Sequence, residues 1–398
     1  MLDLLFFSFF GIVIGLFAGL LPGLHPNQLY FFVFSIIVLN PNQFIVFAAS
    51  MAIANIISNY IPSLFLSVPD PNTVTSILPG HRMVLKGFGK KALAISIFSA
   101  ISALIILLIA LPAILVIVPS IHKFSESFIL VLIITFVFGF LLTEGKNFFI
   151  ALFIFLISGV WGLLALNSNL ISSEKAIFPA LTGLFGISSL LFAERGMKIS
   201  NEGDVDIKPN IAAIIIGIIS GIAAGILPGI GESQISFMIL HFFTKNDEYI
   251  LSSMASMNIA NTILSVIVLM LTGKVRSGLG AALSNLYLDK NLILLFFGAC
   301  LFSAGLTAVV CLLLGNIIIS KISSMDYQRL SRYIILLLSI LVFALTGFVG
   351  LFILIISTFI GILPVLFKIK RSVNMGFLTF PVIIYFIGYT HLISRLLV

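Results

Sequence analysis

The sequence predicts an all-α polytopic membrane protein of two inverted repeats, with helices broken at Pro-Gly pairs or re-entrant hairpins. Composition, the length of the uncharged runs and one recurring motif lead there. Hydrophobic residues make up 60% of the 398-residue chain and charged residues 9%, with a mean hydropathy of +1.26. A soluble domain carries about 25% charged residues, so lipid is the solvent this composition fits. No Asp, Glu, Lys or Arg stands between Asp3 and Asp70, or between Arg332 and Lys368. At about 20 residues per crossing, each run holds more than one span. The runs lack the residue-by-residue alternation of an outer-membrane barrel, so the spans are helices.

Taken in order, the chain starts MLDLLFFSFF, with an acid at Asp3 and no basic leader, so no cleaved signal peptide is expected. Spans are predicted near 4–21, 43–68, 92–118, 127–143, 148–166 and 177–193. These make a first transmembrane repeat, 1–193. A polar linker, 194–209, carries Glu194, Arg195, Lys198, Glu202, Asp204, Asp206 and Lys208. The second repeat, 210–398, has spans near 210–227, 249–272, 291–320, 333–350, 351–367 and 377–392. The loop from Ser76 to Leu93 reads as a solvated basic loop.

The 21 basic and 14 acidic residues give a net charge of +7, but the bases sit in short loops between spans. Membrane topology explains them without nucleic acid. Cys300 and Cys311 lie inside one span with neither metal nor redox spacing, so no metal site is expected. Nothing matches a P-loop or an ABC signature, and no catalytic constellation emerges, which argues against an enzyme and against ATP-driven chemistry.

The repeat is visible directly. GLFAGLLPGLHPNQ from Gly15 to Gln28 and GIAAGILPGIGESQ from Gly221 to Gln234 share Gly15, Gly19, Pro22, Gly23 and Gln28 at a shift of 221 − 15 = 206. Met51, Ala54, Asn55 and Ile57 recur at that shift as Met257, Ala260, Asn261 and Ile263. If each Pro-Gly segment and the apolar piece after it (27–40 and 233–243) return the chain to its starting side, five further crossings follow in each half. An odd number inverts the second half. With Arg82, Lys86, Lys90 and Lys91 in the cytoplasm, 321–332 and 368–371 also fall inside, as the positive-inside rule asks, and 273–290 falls outside. Inverted repeats about an axis in the membrane plane are the build of secondary transporters, with substrate bound near the midplane.

Pro removes a backbone donor and Gly permits unusual angles, so a helix breaks at Pro22-Gly23 and again at Pro228-Gly229. Broken backbone in lipid is tolerated where it lines a cavity. Polar residues gather after each break: His25, Asn27 and Gln28 in the first, Gly231, Glu232, Ser233 and Gln234 in the second. The half-helices starting there present N–H groups and a positive dipole end, which suits a carboxylate or phosphate. The competing reading is a kinked packing helix, because Gly15, Gly19, Gly221 and Gly225 stand at four-residue spacing. Asn55 and Asn261 follow on the next span, with Asn59 and Asn258 a turn away on the same faces, as substrate contacts or as interhelical hydrogen bonds. Glu232 is the ion-coupling candidate; carrying a proton, holding a cation and sitting at the interface are its three readings. His25 can titrate near neutrality or be a solvated loop end.

GLFAGLLPGLHP, GIAAGILPGIG, the run Gly80 to Leu93 (GHRMVLKGFGKKAL) and Gly183 to Ser188 (GLFGIS) together resemble the TctA family, the large membrane subunit of tripartite tricarboxylate transporters. The resemblance spans most of the chain. It departs at Val68-Pro69-Asp70-Pro71-Asn72-Thr73, where the family usually has a threonine-proline-glycine-aspartate element, and at His25, where a glycine is usual. The resemblance implies an ion-coupled permease for a di- or tricarboxylate-like organic anion in the cell membrane. It also implies a small membrane subunit and an extracytoplasmic binding protein as partners, with Na+ or H+ as the coupling cation and no other cofactor. The alternative is a transporter or flippase of a phosphate-bearing, polyprenyl-phosphate-like lipid.

Overall fold

The computed structural model describes residues 2–21, 39–67, 74–125, 128–168, 170–191, 210–226, 235, 246–275, 277–284, 286, 290–322 and 327–388. Their regular structure is helical, with no strand among them. In the first half, α1 is Leu2–Leu20, α2 Pro41–Phe65, α3 Val74–Leu85, α4 Gly89–Ser125, α5 Ile129–Leu142, α6 Phe148–Asn167 and α7 Ser173–Leu181. A π-helix, Thr182–Ile187, continues α7 into a last turn at Ser188–Leu190. In the second half, α8 is Ile211–Ile226, α9 Asp247–Thr272, α10 Gly278–Leu283, α11 Lys290–Ile322, α12 Tyr327–Leu366 and α13 Gly376–Ile387. Among the described residues, seven helices are long and apolar enough to cross a membrane. The chain is a multi-pass membrane protein.

Local chemistry fixes where the two central helices begin. Asn40 Oδ1 accepts from Gln43 N at 2.9 Å while Gln43 Oε1 accepts from Asn40 N at 3.2 Å, a capping box with Pro41 in the first turn of α2. Asn246 caps α9 by accepting from Glu248 N at 3.0 Å, and Asp247 and Glu248 face the positive end of the helix dipole. At its other end α9 stops on Gly273, whose φ of 69° is left-handed.

The glycine spacing on α1 and α8 serves close packing. A Cβ at Gly11, Gly15 or Gly19 would overlap the carbonyl of Phe47, Met51 or Asn55 in turn. Both series rise together by four, so α1 and α2 run parallel in direct backbone contact. In the second half Gly217, Gly221 and Gly225 lie against Ser253, Met257 and Asn261 in the same way, each partner 206 positions on from its counterpart.

The halves then exchange partners. α2 packs on α11, with Ser303 Oγ donating to Ser50 O at 2.8 Å, while α9 packs on α4, with Ser256 Oγ donating to Ser99 O at 3.2 Å. Ser50 and Ser256 are 206 apart. A second register is also present: Leu152, Phe153, Ile154, Ile157, Ser158 and Gly162 recur as Leu351, Phe352, Ile353, Ile356, Ser357 and Gly361, at a shift of 351 − 152 = 199. Here too the contacts cross over. Gly162 of α6 lies against the Phe377 backbone of α13, and Gly361 of α12 against the Leu184 backbone of the π-helix. The two largest cores each draw helices from both halves. One is built on α2, α4, α9 and α11, and the other on α6, α7, the π-helix, the end of α12 and α13.

The structure departs from the sequence reading in one place and shifts a boundary in another. The two spans predicted at 333–350 and 351–367 are present as the two arms of α12, which meet at Gly347, where a φ of 65° and a ψ of −157°, a pair only glycine adopts readily, break the helix. The basic loop after Ser76 is largely the helix α3, with His81, Met83 and Val84 buried. Its apolar residues recur every seven positions, Ile77 with Val84 and Leu78 with Leu85, and a helix face is what that spacing allows.

Candidate functional site

α2 carries no charged side chain, and α9 carries two, both in its first turn. What polarity they bring into the membrane is therefore amide and hydroxyl. Asn55 lies 55 − 41 = 14 residues past the start of α2, and Asn261 lies 261 − 247 = 14 past the start of α9, each about 21 Å along its helix. Asn55 is buried and Asn261 half-buried. Both stand beside the last turn of their half's first helix. A Cβ at Gly19 would press on the Asn55 carbonyl at 2.5 Å, and one at Gly225 would lie 3.5 Å from Asn261 Oδ1.

Around Asn55 the hydroxyls are already engaged. Ser58 Oγ donates to Ala54 O at 2.7 Å, and Ser63 Oγ to Asn59 Oδ1 at 3.4 Å. Around Asn261 the chemistry is less satisfied: Asn258 is 1% exposed and its Oδ1 has no hydrogen-bond partner. A buried acceptor left unmet costs about 1–3 kcal/mol, so it marks a place where a ligand is worth seeking.

The structure thus places Asn55 and Asn59 beside the last turn of α1 and Asn261 beside the last turn of α8, with Asn258 three residues before Asn261 on α9. The other residues of the expected site lie outside the described residues: Pro22, Gly23, His25, Asn27 and Gln28 in the first half, and Pro228, Gly229, Gly231, Glu232, Ser233 and Gln234 in the second.

At one end of the molecule the halves meet through charge. Arg82 pairs with Asp247 at 2.5 Å and Lys91 with Glu248 at 2.7 Å. Next to Arg82 in α3, His81 Nδ1 lies 3.0 Å from Leu64 O, and burial holds the imidazole below its ordinary value more than that contact raises it. A Cβ at Gly80 would touch both Leu64, in the last turn of α2, and Leu251, in the second turn of α9. Sequence reasoning missed His81, whose flanking bases disguise its helix as a loop. At the other core, Lys370 lies 3.5 Å from Glu144 Oε1, and Arg371 donates to Ser189 Oγ.

Comparison with known proteins agrees with the sequence motifs. The family model described as "Tripartite tricarboxylate transporter TctA family" matches residues 5–376. An uncharacterized protein of Methanocaldococcus jannaschii is 28% identical over 403 residues, covering 97% of this chain and all of that protein. No solved structure matches. With nearly the whole length matched, glycine and Pro-Gly motifs included, the chain belongs to the TctA family, a membrane component of tripartite tricarboxylate transporters.

Proposed function

We propose that the chain is an ion-coupled secondary transporter permease for a small organic anion of the di- or tricarboxylate kind, built from two halves of opposed orientation. The carrying observation is the meeting at Gly80. The end of α2 and the beginning of α9, helices equivalent by the 206 shift, share one end of the molecule. Equivalent helices that share opposite termini run in opposite directions, which is the relation alternating access exploits. The crossed contacts of Ser50 with α11 and Ser256 with α4 support the same two-fold exchange.

The anion is held at the half-helix starts after the Pro-Gly breaks, with the amides of Asn55 and Asn261 donating from the facing spans. Neutral donors and helix ends suit a carboxylate that must also be released, since a buried lysine or arginine would hold it too long. The family's description supports a polycarboxylate and, with it, a small membrane subunit and an extracytoplasmic binding protein as partners. The test is a thermal-shift series on purified protein against succinate, citrate and a polyprenyl phosphate. A carboxylate at 100 times its dissociation constant should stabilise the fold by about 2.7 kcal/mol. Stabilisation by the lipid phosphate alone would overturn the carboxylate reading in favour of a lipid carrier.

A further inference from the structure

We infer that α3 is a strap latched across the two central helices by the ion pairs Arg82–Asp247 and Lys91–Glu248, and that this latch holds one end of the molecule shut while the opposite end is left to open first. The inference deepens the transporter reading above and rests on it for its purpose, though not for its contacts.

α3 bridges the seam between the halves. A Cβ at Gly80 would meet Leu64 of α2 and Leu251 of α9, and His81 Nδ1 lies 3.0 Å from the Leu64 carbonyl. Met83 and Val84 bury its apolar face, while Arg82 stays exposed and reaches Asp247 at 2.5 Å. Past Gly87, whose φ of 80° is left-handed, the chain turns into α4, and there Lys91 reaches Glu248 at 2.7 Å. Both arms of this turn, α3 and α4, are therefore tied to the first turn of α9.

The placement of the charges favours a join between elements. Asp247 and Glu248 gain from the positive end of the α9 dipole with or without partners. Lys91 does not gain from its own helix: it stands in the first turn of α4, the positive end, where a base is disfavoured. Meeting Glu248 across the seam offsets that, so the charge of Lys91 serves the contact between α4 and α9.

The repeat supplies its own control. At the shift of 206, Arg82, Lys91, Asp247 and Glu248 correspond to Leu288, Phe297, Pro41 and Asn42, so all four charges are missing from the equivalent positions. α10 follows α9 as α3 follows α2, and it packs against α9 and α2 as α3 packs against α2 and α9. Yet α10 carries no charged side chain, and its cap Ser277 is tied to α9 by a neutral contact, Oγ to Ser265 Oγ at 2.7 Å. The positive-inside rule assigns the α3 end to the cytoplasm. With the ion pairs on that side, the resting molecule is fastened inside, and a substrate arriving from outside meets the end that gives way first.

The experiment follows maleimide labelling of the purified full-length protein, with Cys300 and Cys311 replaced, at one of two buried reporters: Val84→Cys on α3, a swap close in volume, and Leu279→Cys on α10. With the pairs intact, Leu279→Cys should react faster than Val84→Cys. Asp247→Asn with Glu248→Gln should speed Val84→Cys at least about fivefold, the equivalent of about 1 kcal/mol for two partly exposed pairs, and leave Leu279→Cys no faster. KCl at about 1 M should also speed Val84→Cys with the pairs intact, because a Debye length of about 3 Å screens them. Unchanged labelling of Val84→Cys overturns the latch, as does equal acceleration at Leu279→Cys, which would mean general loosening. A Val84→Cys that reacts faster than Leu279→Cys with the pairs intact overturns the order of opening. Should the carboxylate variant fail to fold, Arg82→Gln with Lys91→Gln removes the same pairs and decides alone. A latch that answers these changes in a protein stabilised by no carboxylate would stand while the anion reading fell; stabilisation by a carboxylate with indifferent labelling would do the reverse.

Discussion

At the scale of the residue, the glycines of α1 and α8 serve close packing, and the asparagines of α2 and α9 carry the proposed chemistry. Gly221→Leu would drive a side chain into Ala260 and the Met257 carbonyl, which is backbone and cannot yield. Overpacking of this kind costs about 1–3 kcal/mol or more, so the variant should melt well below wild type, whereas substitution at Gly298, with open space around its Cβ, should not. Asn261→Ala removes one amide donor from the proposed anion site. It should raise the carboxylate dissociation constant about tenfold, for a loss near 1.4 kcal/mol, while the protein still folds. Equilibrium binding on Asn261→Ala and Asn55→Ala checks this; unchanged affinity in both would leave the asparagines only as helix contacts. Asn55 and Asn261 were legible in the sequence because they recur in register with a Pro-Gly motif. The isolation of Asn258 Oδ1 was not, since a hydrogen bond that fails to form leaves no mark on composition or spacing.

Individual helices show where periodicity sufficed and where it failed. Long apolar runs announced the spans because lipid imposes about 20 residues on each. α3 escaped because Arg82, Lys86, Lys90 and Lys91 crowd the same stretch, and charge outweighs a short apolar face in any hydropathy reading. Its burial has a consequence for pH. His81 titrates in the folded protein below its ordinary 6.5, so the unfolded chain takes up a proton that the folded one resists. The stability His81 confers is whole above that value and is lost as pH falls below it. Melting temperature should therefore drop between about pH 7 and pH 5, and His81→Gln should flatten the drop; an identical slope in the variant would mean that other groups set it. The kink in α12 was read from sequence as a gap between spans a few residues later, because an uncharged run gives no clue to where the backbone turns. Gly347 holds a φ, ψ pair that costs other residues about 1–3 kcal/mol, and its Cβ would meet nothing. Gly347→Ala should thus lower the melting temperature through backbone strain alone, and a thermal melt equal to wild type would show that the kink relaxes.

Over the whole molecule, the 206 register set the architecture in the sequence, and the structure adds what one dimension cannot hold: which copy touches which. α2 turns to α11 and α9 to α4, and in the second core α6 turns to α13 while the end of α12 turns to the π-helix. The 199 register linking Leu152–Leu164 to Leu351–Leu363 was present in the sequence as well, hidden among Leu and Ile that match by chance and betrayed only by Ser158 and Gly162. Such reciprocal packing makes each half incomplete without the other, so both cores should melt in one transition. The opposed orientation of the halves is tested most directly by labelling Asn42→Cys and Glu248→Cys, equivalent positions at 248 − 42 = 206, with a membrane-impermeant maleimide in intact cells. The background would have the buried Cys300 and Cys311 replaced. Opposed halves require the two positions to react from opposite faces, Asn42→Cys in intact cells and Glu248→Cys only after the membrane is opened. Labelling of both from the same face would contradict the inversion and the transport site built on it.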